Sequence, residues 1–529
     1  MKISTTNFNI PKLTFKQNDN NSTNVNNNLE RSPKQDTFKL TVGYVNDIHG
    51  QTNNMMRILT GIHSDLKLSA GDNDIGDEKN DAIHRATIKF MNIANIKGSA
   101  LGNHELDTSQ QNALEAIDKY DGDFLAVNFN QQPIEEQSSD DIKKYFRADF
   151  ADKLKKSKIV EVKGEKIGLI GASPMDMFER LTHPHYYDDC SVDDIETTIQ
   201  LIQAEVDNLK AQGVNKIFLL SHLGNKRERA VAINTNGIDV IIGGHTHELI
   251  KDIKEGQNLL YSESGEPVII TQAGKDGNYF GKLNLTFDKD GVITKAQNNI
   301  GETRYFYKNM INQYVFDEIL GKPEKVGFIK QAPPPPKSLL EENPHANFVC
   351  DILREKTDSD IAVWHNCGVR NFFHEGVIDS RDVKDIAPFL DHIVVANVPE
   401  KKLVEMFEHA IETSYEHPAN KPGLFAVSGL DYTVDPDEGK LVKMSFIDKN
   451  GNAHAIDVEN PSEDKTYKLV TDEFLMSAGA DFDVLAEEDE YIEKYPYDKD
   501  VFVCEYLKEL NKPVIINQTG RLHFSTDED

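Results

Sequence analysis

The sequence predicts a mixed α/β chain folded as two units, and three observations carry that expectation. From about residue 38 to 300, short apolar runs alternate with amphipathic stretches. A run of four prolines at 333–336 then interrupts the pattern, and the same alternation resumes over 341–520. At 529 residues the chain exceeds what one hydrophobic core serves, so two or three domains are expected.

The elements follow in order. Residues 18–28 (NDNNSTNVNNN) are polar and of low complexity, so 1–37 is set apart as a disordered Asn-rich N-terminus. Strands are predicted at 39–45, 66–70, 124–127, 167–171, 216–220, 239–242 and 268–271, each a short apolar run bounded by turn residues. Between them, 81–96 and 191–212 carry helical spacing and polar N-terminal caps. Strand–helix alternation of this kind gives a layered α/β unit, bounded here at 38–301. Residues 302–340 read as a connector: a helix-compatible stretch at 305–320, then Gly321-Lys-Pro323, then prolines that favour a stiff extended segment. The second unit, 341–525, shows helical spacing at 344–356 and 400–413 and strands at 361–364, 393–398 and 468–471.

Composition narrows the function. The chain carries 88 acidic against 58 basic residues, a formal charge of −30, which disfavours duplex nucleic acid and anionic lipid as partners. A small phosphorylated substrate remains compatible, since charges beyond about 10 Å are screened. No stretch approaches the roughly 20 apolar residues of a membrane span. Cys190, Cys350, Cys367 and Cys504 are scattered without CxxC spacing, so neither a thiolate zinc site nor a disulfide scaffold is expected. The N-terminus lacks the apolar core of a secretory signal, which makes the cytoplasm the default location.

Five short blocks end apolar runs with metal-type ligands: Asp47-Ile-His49, Gly71-Asp72, Gly102-Asn103-His104-Glu105, Ser221-His222 and Gly243-Gly-His245-Thr-His247. Singly, an Asp-x-His or a Gly-Asp is ordinary loop chemistry. Five in order, each behind an apolar run, suit one site, because binding sites of α/β sheets gather outside the carboxyl ends of strands. Asp47 and His49, two apart in an extended segment, point the same way and can share an ion. Asp72, with two oxygens, is the natural bridge to a second ion, which Asn103, His222 and His245 would complete, and His247 returns to the first. Oxygen and nitrogen ligands suit Zn, Mn, Fe or Co. His104 is spare, able to stabilise phosphoryl oxygens or protonate a leaving group, with Asp107 holding its tautomer. Two such ions serve phosphoryl transfer, so hydrolysis of phosphate esters is the expected chemistry.

The blocks DIHG, GD, GNHELD, SHLG and GGHTH resemble, in order, those of the calcineurin-like metallophosphoesterases, and in particular the bacterial 5′-nucleotidase/UDP-sugar hydrolase family, over about 38–525. The resemblance implies an N-terminal β-sandwich flanked by helices and a C-terminal 5′-nucleotidase-type α/β substrate domain that rotates to close the site. It implies two divalent metal ions on Asp47, His49, Asp72, Asn103, His222, His245 and His247, with His104 and Asp107 as the catalytic pair. Asn366-Cys-Gly368-Val-Arg370 is similar to that family's Asn-Gly-Gly-Ile-Arg substrate loop; Gly368 would let the backbone approach a ligand, and Arg370 would grip phosphate through its fork of donors. Family members sandwich the base between two rings. Phe482 matches one, although Ala480 and Asp481 depart from the usual pattern, and the other position carries Leu424 with Phe425 beside it. A phosphate-binding Arg expected near 413 is replaced by Thr413.

The implied activity is hydrolysis of 5′-nucleotides to nucleosides and phosphate by in-line attack of a metal-bound hydroxide. Alternatives within the family are a 2′,3′-cyclic-nucleotide phosphodiesterase or a UDP-sugar hydrolase. From another class, the alternative is a non-enzymatic nucleotide- or protein-binding module. Family members are typically exported, which makes the periplasm or the extracellular space the alternative location.

Overall fold

The computed structural model describes residues 29–30, 37–75, 80–132, 153–181, 184–416, 422–477 and 485–525. The stretch 18–28, expected to be disordered, lies outside them.

Two sheets build the first half. One has seven strands in the order Leu29–Glu30, Ile293–Glu302, Tyr279–Phe287, Phe38–Val45, Leu66–Ser69, Ser99–Ala100, Phe124–Leu125. The other has six: Leu259–Tyr261, Pro267–Thr271, Val240–Gly243, Ile217–Ser221, Glu165–Ala172, Ser157–Val162. They pack face to face, since Val42, Tyr44 and Leu68 of the first share a core with Leu169, Phe218 and Leu220 of the second. Helices cover the outer faces. Met55 and Met56 of α1 (Thr52–Gly61) join Phe90 and Met91 beside the first sheet, and Ile202, Val206 and Leu209 pack on Ile170, Leu219 and Ile241 of the second. Ile217–Ser221 shows why such strands read as unbroken apolar runs: Phe218 and Leu220 face the sandwich, Ile217 and Leu219 face the helices. This is the sandwich flanked by helices that the family blocks imply.

Parallel pairing brings the candidate ligands together. Val45 pairs with Ser69 and Ser69 with Ser99 in one sheet; Ser221 pairs with Gly243 in the other. Each of these strands leads directly into one of the five blocks, so the blocks emerge at the same end of the sandwich. The predicted strand 124–127 is shorter, Phe124–Leu125, and the hairpin Tyr279–Phe287 with Ile293–Glu302 was not expected.

The segment 302–340 divides between the halves. Its helix α2 (Met310–Leu320) buries Phe316 among Met56, Phe90 and Met91 of the first half. Its strand Lys325–Gln331 pairs with Gly376–Asp379 and Val514–Ile515. Beyond, a five-stranded sheet runs Phe425–Ser428, Ile361–His365, Thr466–Asp472, Ile393–Pro399, Tyr491–Lys494. Pro344–Lys356 and Lys499–Leu510 cover one face. Glu400–Glu416 and a four-stranded sheet that includes Leu430–Asp435 and Lys440–Ile447 cover the other. The short helix α3 (Ser380–Ile386) closes the side nearest the first half, beginning with a capping box between Asp379 and Asp382.

Phe407 sits at the centre of this second core, fully buried, its ring 4.8 Å from that of Phe425 and 5.0 Å from that of Tyr432. Phe407→Ala is expected to destabilise by about 3–5 kcal/mol, the usual effect of emptying so large a buried site. Denaturant unfolding monitored at Trp364, in the five-stranded sheet that the Phe407 helix covers, measures it.

Candidate metal centre

The strand ends do not relax into ordinary loops. Asp47, His49, Asp72, His245 and His247 all hold positive φ, at 48°, 50°, 51°, 73° and 59°. Non-glycine residues avoid this region, and holding one there costs about 1–3 kcal/mol. Five such residues at one end of the sandwich are fixed by the backbone around them: Asp47 N donates to Gly71 O at 2.9 Å and His49 N to Asp72 O at 3.1 Å. The His245 N–H donates to the Asp47 carboxylate at 3.1 Å. Glycine is needed where the blocks touch. A Cβ at Gly102 would collide with Asp72 Oδ1, and one at Gly244 would lie 2.7 Å from His222 Nδ1.

The ring orientations are equally constrained. His49 Nδ1 donates to Asp276 Oδ1 at 2.8 Å, and His222 Nδ1 donates to the Ala70 carbonyl at 2.6 Å. Each neutral ring then presents its Nε2 lone pair inward. His222 Nε2 lies 3.0 Å from Asp72 Oδ2, and His49 Nε2 lies 3.8 Å from the same oxygen. His247 Nε2 is 3.3 Å from Asp47 Oδ1. Both Nε2 atoms of His49 and His222, and Asn103 Oδ1, are buried without a hydrogen-bond partner. Lone pairs facing carboxylates repel unless a cation or a proton lies between them, and buried polar atoms are otherwise nearly always paired. The donor set therefore fits divalent ions. Among the described residues it forms three groups, Asp47–His49–His247, His49–Asp72–His104 and Asp72–His222–His245, the second sharing His49 with the first and Asp72 with the third.

Without an ion, protons do the balancing. Burial works against charge on His222, yet Asp72 and Asp47 hold its pKa up at about 10. Burial likewise disfavours ionised Asp47, but His247 and His222 bring it down to about 2. For His247 burial prevails over Asp47 and its pKa falls to about 4.

His104 stands beside this group. Its backbone N–H donates to Asp72 Oδ1 at 2.9 Å, and its Nδ1 donates to Asp107. Nε2 is thereby turned toward Asp72 Oδ2, 3.9 Å away. Burial opposes its charge, but Asp72 and Asp107 together raise its pKa above the ordinary imidazole value.

Several supporting residues escaped the sequence reading. Asp276 orients His49, and Asp176 Oδ1 lies 3.1 Å from His245 Nε2. Glu105 accepts from the N–H groups of Asn73, Asp72 and Gly102 at 2.8–2.9 Å, tying two blocks together. Glu105 was visible inside its block; Asp176 and Asp276 each follow a strand, the rule that singled out the ligands.

A cleft of about 930 Å³ opens beside the centre, between His247, Lys275, Asp276 and Arg304 of the first half and Pro333, 335–339, Asn366 and Arg370 of the second. Asn366 Nδ2 donates to the carbonyls of Leu339 and Glu341, both at 3.1 Å. Arg370 lies 5.1 Å over the Phe389 ring, and its Nε is buried without a partner. Gly368 does not line this cleft. Its bare Cα makes room for Trp364 and His365, whose ring nitrogens a Cβ would approach at 2.8 Å, so close protein packing accounts for this glycine. Phe425 also departs from its expected role. It is 4% exposed, with its ring against Phe407. Phe482 lies outside the described residues. Thr413 is on the Glu400–Glu416 helix, 3.5 Å from His409 Nε2.

Known proteins place this architecture. Residues 40–249 match the calcineurin-like phosphoesterase family, and 325–487 match the 5′-nucleotidase C-terminal domain, together more than half of the chain. The chain is 26% identical over 538 aligned positions to the trifunctional nucleotide phosphoesterase protein YfkN of Bacillus subtilis (strain 168), covering 93% of this chain and 35% of that protein. It is thus similar to about a third of that longer relative. It is 24% identical over 478 positions to the snake venom 5′-nucleotidase of Crotalus adamanteus, covering 83% and 77% of the two. The fold is that of the 5′-nucleotidase precursor from Thermus thermophilus, with a TM-score of 0.67 at 22% identity over 92% of this chain and 99% of that one. Fold and family together define a metal-dependent phosphoester hydrolase. The chain belongs to the calcineurin-like phosphoesterases that carry a 5′-nucleotidase C-terminal domain. Among the described residues no helix is long and apolar enough to cross a membrane.

Asp276→Ala frees His49 to rotate and is expected to weaken divalent-ion binding by about 10–100-fold, the usual effect of removing an orienting carboxylate. Competition with a chelator reads this directly; unchanged affinity would show that Asp276 does not orient a ligand.

Proposed function

We propose that the protein hydrolyses 5′-nucleotides to nucleosides and phosphate. The observation that carries this reading is the pair of oriented imidazoles, His49 and His222, whose lone pairs face one shared carboxylate oxygen of Asp72. Asp47, His49 and His247 with Asp72 would hold one divalent ion, and Asp72, Asn103, His222 and His245 the other. When bound, two such ions polarise a phosphoryl oxygen and neutralise charge on the attacking and leaving oxygens. The remaining work falls to the chain. His104, its Nδ1 engaged by Asp107, offers an Nε2 proton to a phosphoryl or leaving-group oxygen. Arg370, with its unpartnered Nε, grips the same phosphate from the opposite wall. On this reading 38–301 is the phosphoesterase unit, 341–525 binds the rest of the substrate, and 302–340 connects them.

The Phe425 ring, buried against Phe407, favours keeping other esters in view. A phosphate-release panel of AMP, UMP, 2′,3′-cyclic nucleotides, UDP-glucose and an aryl phosphate, with manganese- or zinc-loaded protein, separates the substrates. Cyclic esters are assayed with an added phosphatase, and UDP-glucose by its cleavage products. Chelator-sensitive turnover of 5′-monophosphates is expected to lead, and turnover of the aryl phosphate alone would overturn the nucleotide assignment. Asp72→Asn is expected to lower kcat by more than the about 10–100-fold of an outer-shell loss; undiminished turnover would sink the two-ion mechanism. Silence of the wild type across the panel would favour a binding module.

A further inference from the structure

Helix α1 begins at Thr52, three residues beyond His49, and its N-cap residue Gln51 makes no side-chain capping bond. The first N–H groups of a helix have no partner within it and need an acceptor. Here the acceptor comes from the other half of the molecule. Asn53 N donates to Asp385 Oδ2 at 3.2 Å, and Thr52 Oγ1 donates to Asp385 Oδ1 at 3.3 Å. Gln51 uses both ends of its amide across the same boundary: Nε2 donates to Asp385 O at 3.1 Å, and Oε1 accepts from Asn371 Nδ2 at 3.0 Å. Asn371 adjoins Arg370.

The surrounding contacts run the same way. Asn53 Nδ2 donates to Asp382 Oδ1 at 3.0 Å and Asn80 Nδ2 to Pro388 O at 3.1 Å. Arg381 Nη2 donates to Asp317 Oδ1 at 2.8 Å, on α2, and to Gly321 O at 2.7 Å. Asp385 itself is 3% exposed. A carboxylate is removed from water at a high cost unless polar hydrogens receive it, and a helix N-terminus supplies them together with favourable dipole charge.

We propose that Asp385 is a positioning residue: by capping α1 from the opposite half, it registers the two halves so that Arg370 faces the His–Asp centre. The chain from centre to cation is short. His49 leads into Gln51 and α1, Gln51 is held by both Asp385 and Asn371, and Asn371 carries Arg370 with it. Loss of the cap frees α1's first turn and the 366–373 loop together, whereas a carboxylate of purely local importance would free only the first. The kinetic consequence rests on the phosphoester reading above; the structural consequence does not.

The test uses full-length, manganese-loaded protein carrying Asp385→Ala or Asp385→Asn, the latter keeping one acceptor oxygen. Amide hydrogen exchange is followed in 50–56 and 366–373, alongside steady-state kinetics on the best phosphate ester and bound-metal content. For Asp385→Ala, faster exchange in both segments is expected, with KM raised about tenfold, the loss of one charge-assisted hydrogen bond, and kcat and metal content little changed. Asp385→Asn is expected to fall between this and wild type. Faster exchange confined to 50–56, with KM unchanged, would overturn the proposal. If the alanine variant does not fold, the asparagine variant decides by the same two-segment comparison. If the wild type turns over no phosphate ester, the hydrolase reading falls while the exchange result still decides the role of Asp385.

Discussion

Asp47 and Asp72 are buried carboxylates that face the same few imidazoles, and this electrostatic arrangement governs much of the first half. Each ring could relieve the approach by turning away, but its far nitrogen is already engaged: His49 by Asp276, His222 by the Ala70 carbonyl, His104 by Asp107. The backbone could relieve it by relaxing, yet five of the residues hold left-handed conformations. The loops could spread apart, but Glu105 ties the Gly71-Asp72 block to the Gly102 block through three backbone N–H groups. Strain at several levels that leaves buried lone pairs aimed at one point is a form of preorganisation. A cation bound there meets donors that are already turned toward it.

The candidate ligands were legible because each lies in a two- to five-residue block fixed to the end of one strand, so local sequence and position in the fold coincide. What lies behind the ligands was harder to read. Asp276 reaches His49 across 227 residues and Asp176 reaches His245 across 69, and no spacing in the chain announces either pairing. The second half was read less completely for a different reason. Phe425–Ser428 is buried on both faces, so its pattern has no parity to say which way Phe425 turns. Gly368 could be read as making room, but not for what; the occupants are Trp364 and His365, beside it in sequence. The hairpin Tyr279–Phe287 does alternate buried and half-buried positions, and it escaped because Gly281, Lys282 and Asn284 interrupt the apolar run.

The two halves divide the chemistry. The first supplies the Asp–His–Asn donor set; the second supplies Arg370, whose guanidinium is desolvated on one side by Phe389 and leaves Nε unpaired. A chain of net charge −30 has no long-range attraction for a phosphate ester, but at moderate salt that field is screened over about 8–10 Å. On the proposed reading, affinity would then come from charges within contact distance, ions held by one half and the guanidinium of the other. An arrangement split in this way is only as good as its registration, because Coulomb energy inside a partly desolvated cleft changes steeply with separation. That makes the boundary between the halves part of the site. Amides contribute much of it (Gln51, Asn53, Asn80 and Asn371), beside the Arg381–Asp317 pair and the buried Asp385 carboxyl, its pKa pushed up to about 7 by burial, on the helix end that follows His49. Amide bonds of this kind are individually weak and directional, which lets the boundary define one geometry without welding the halves together.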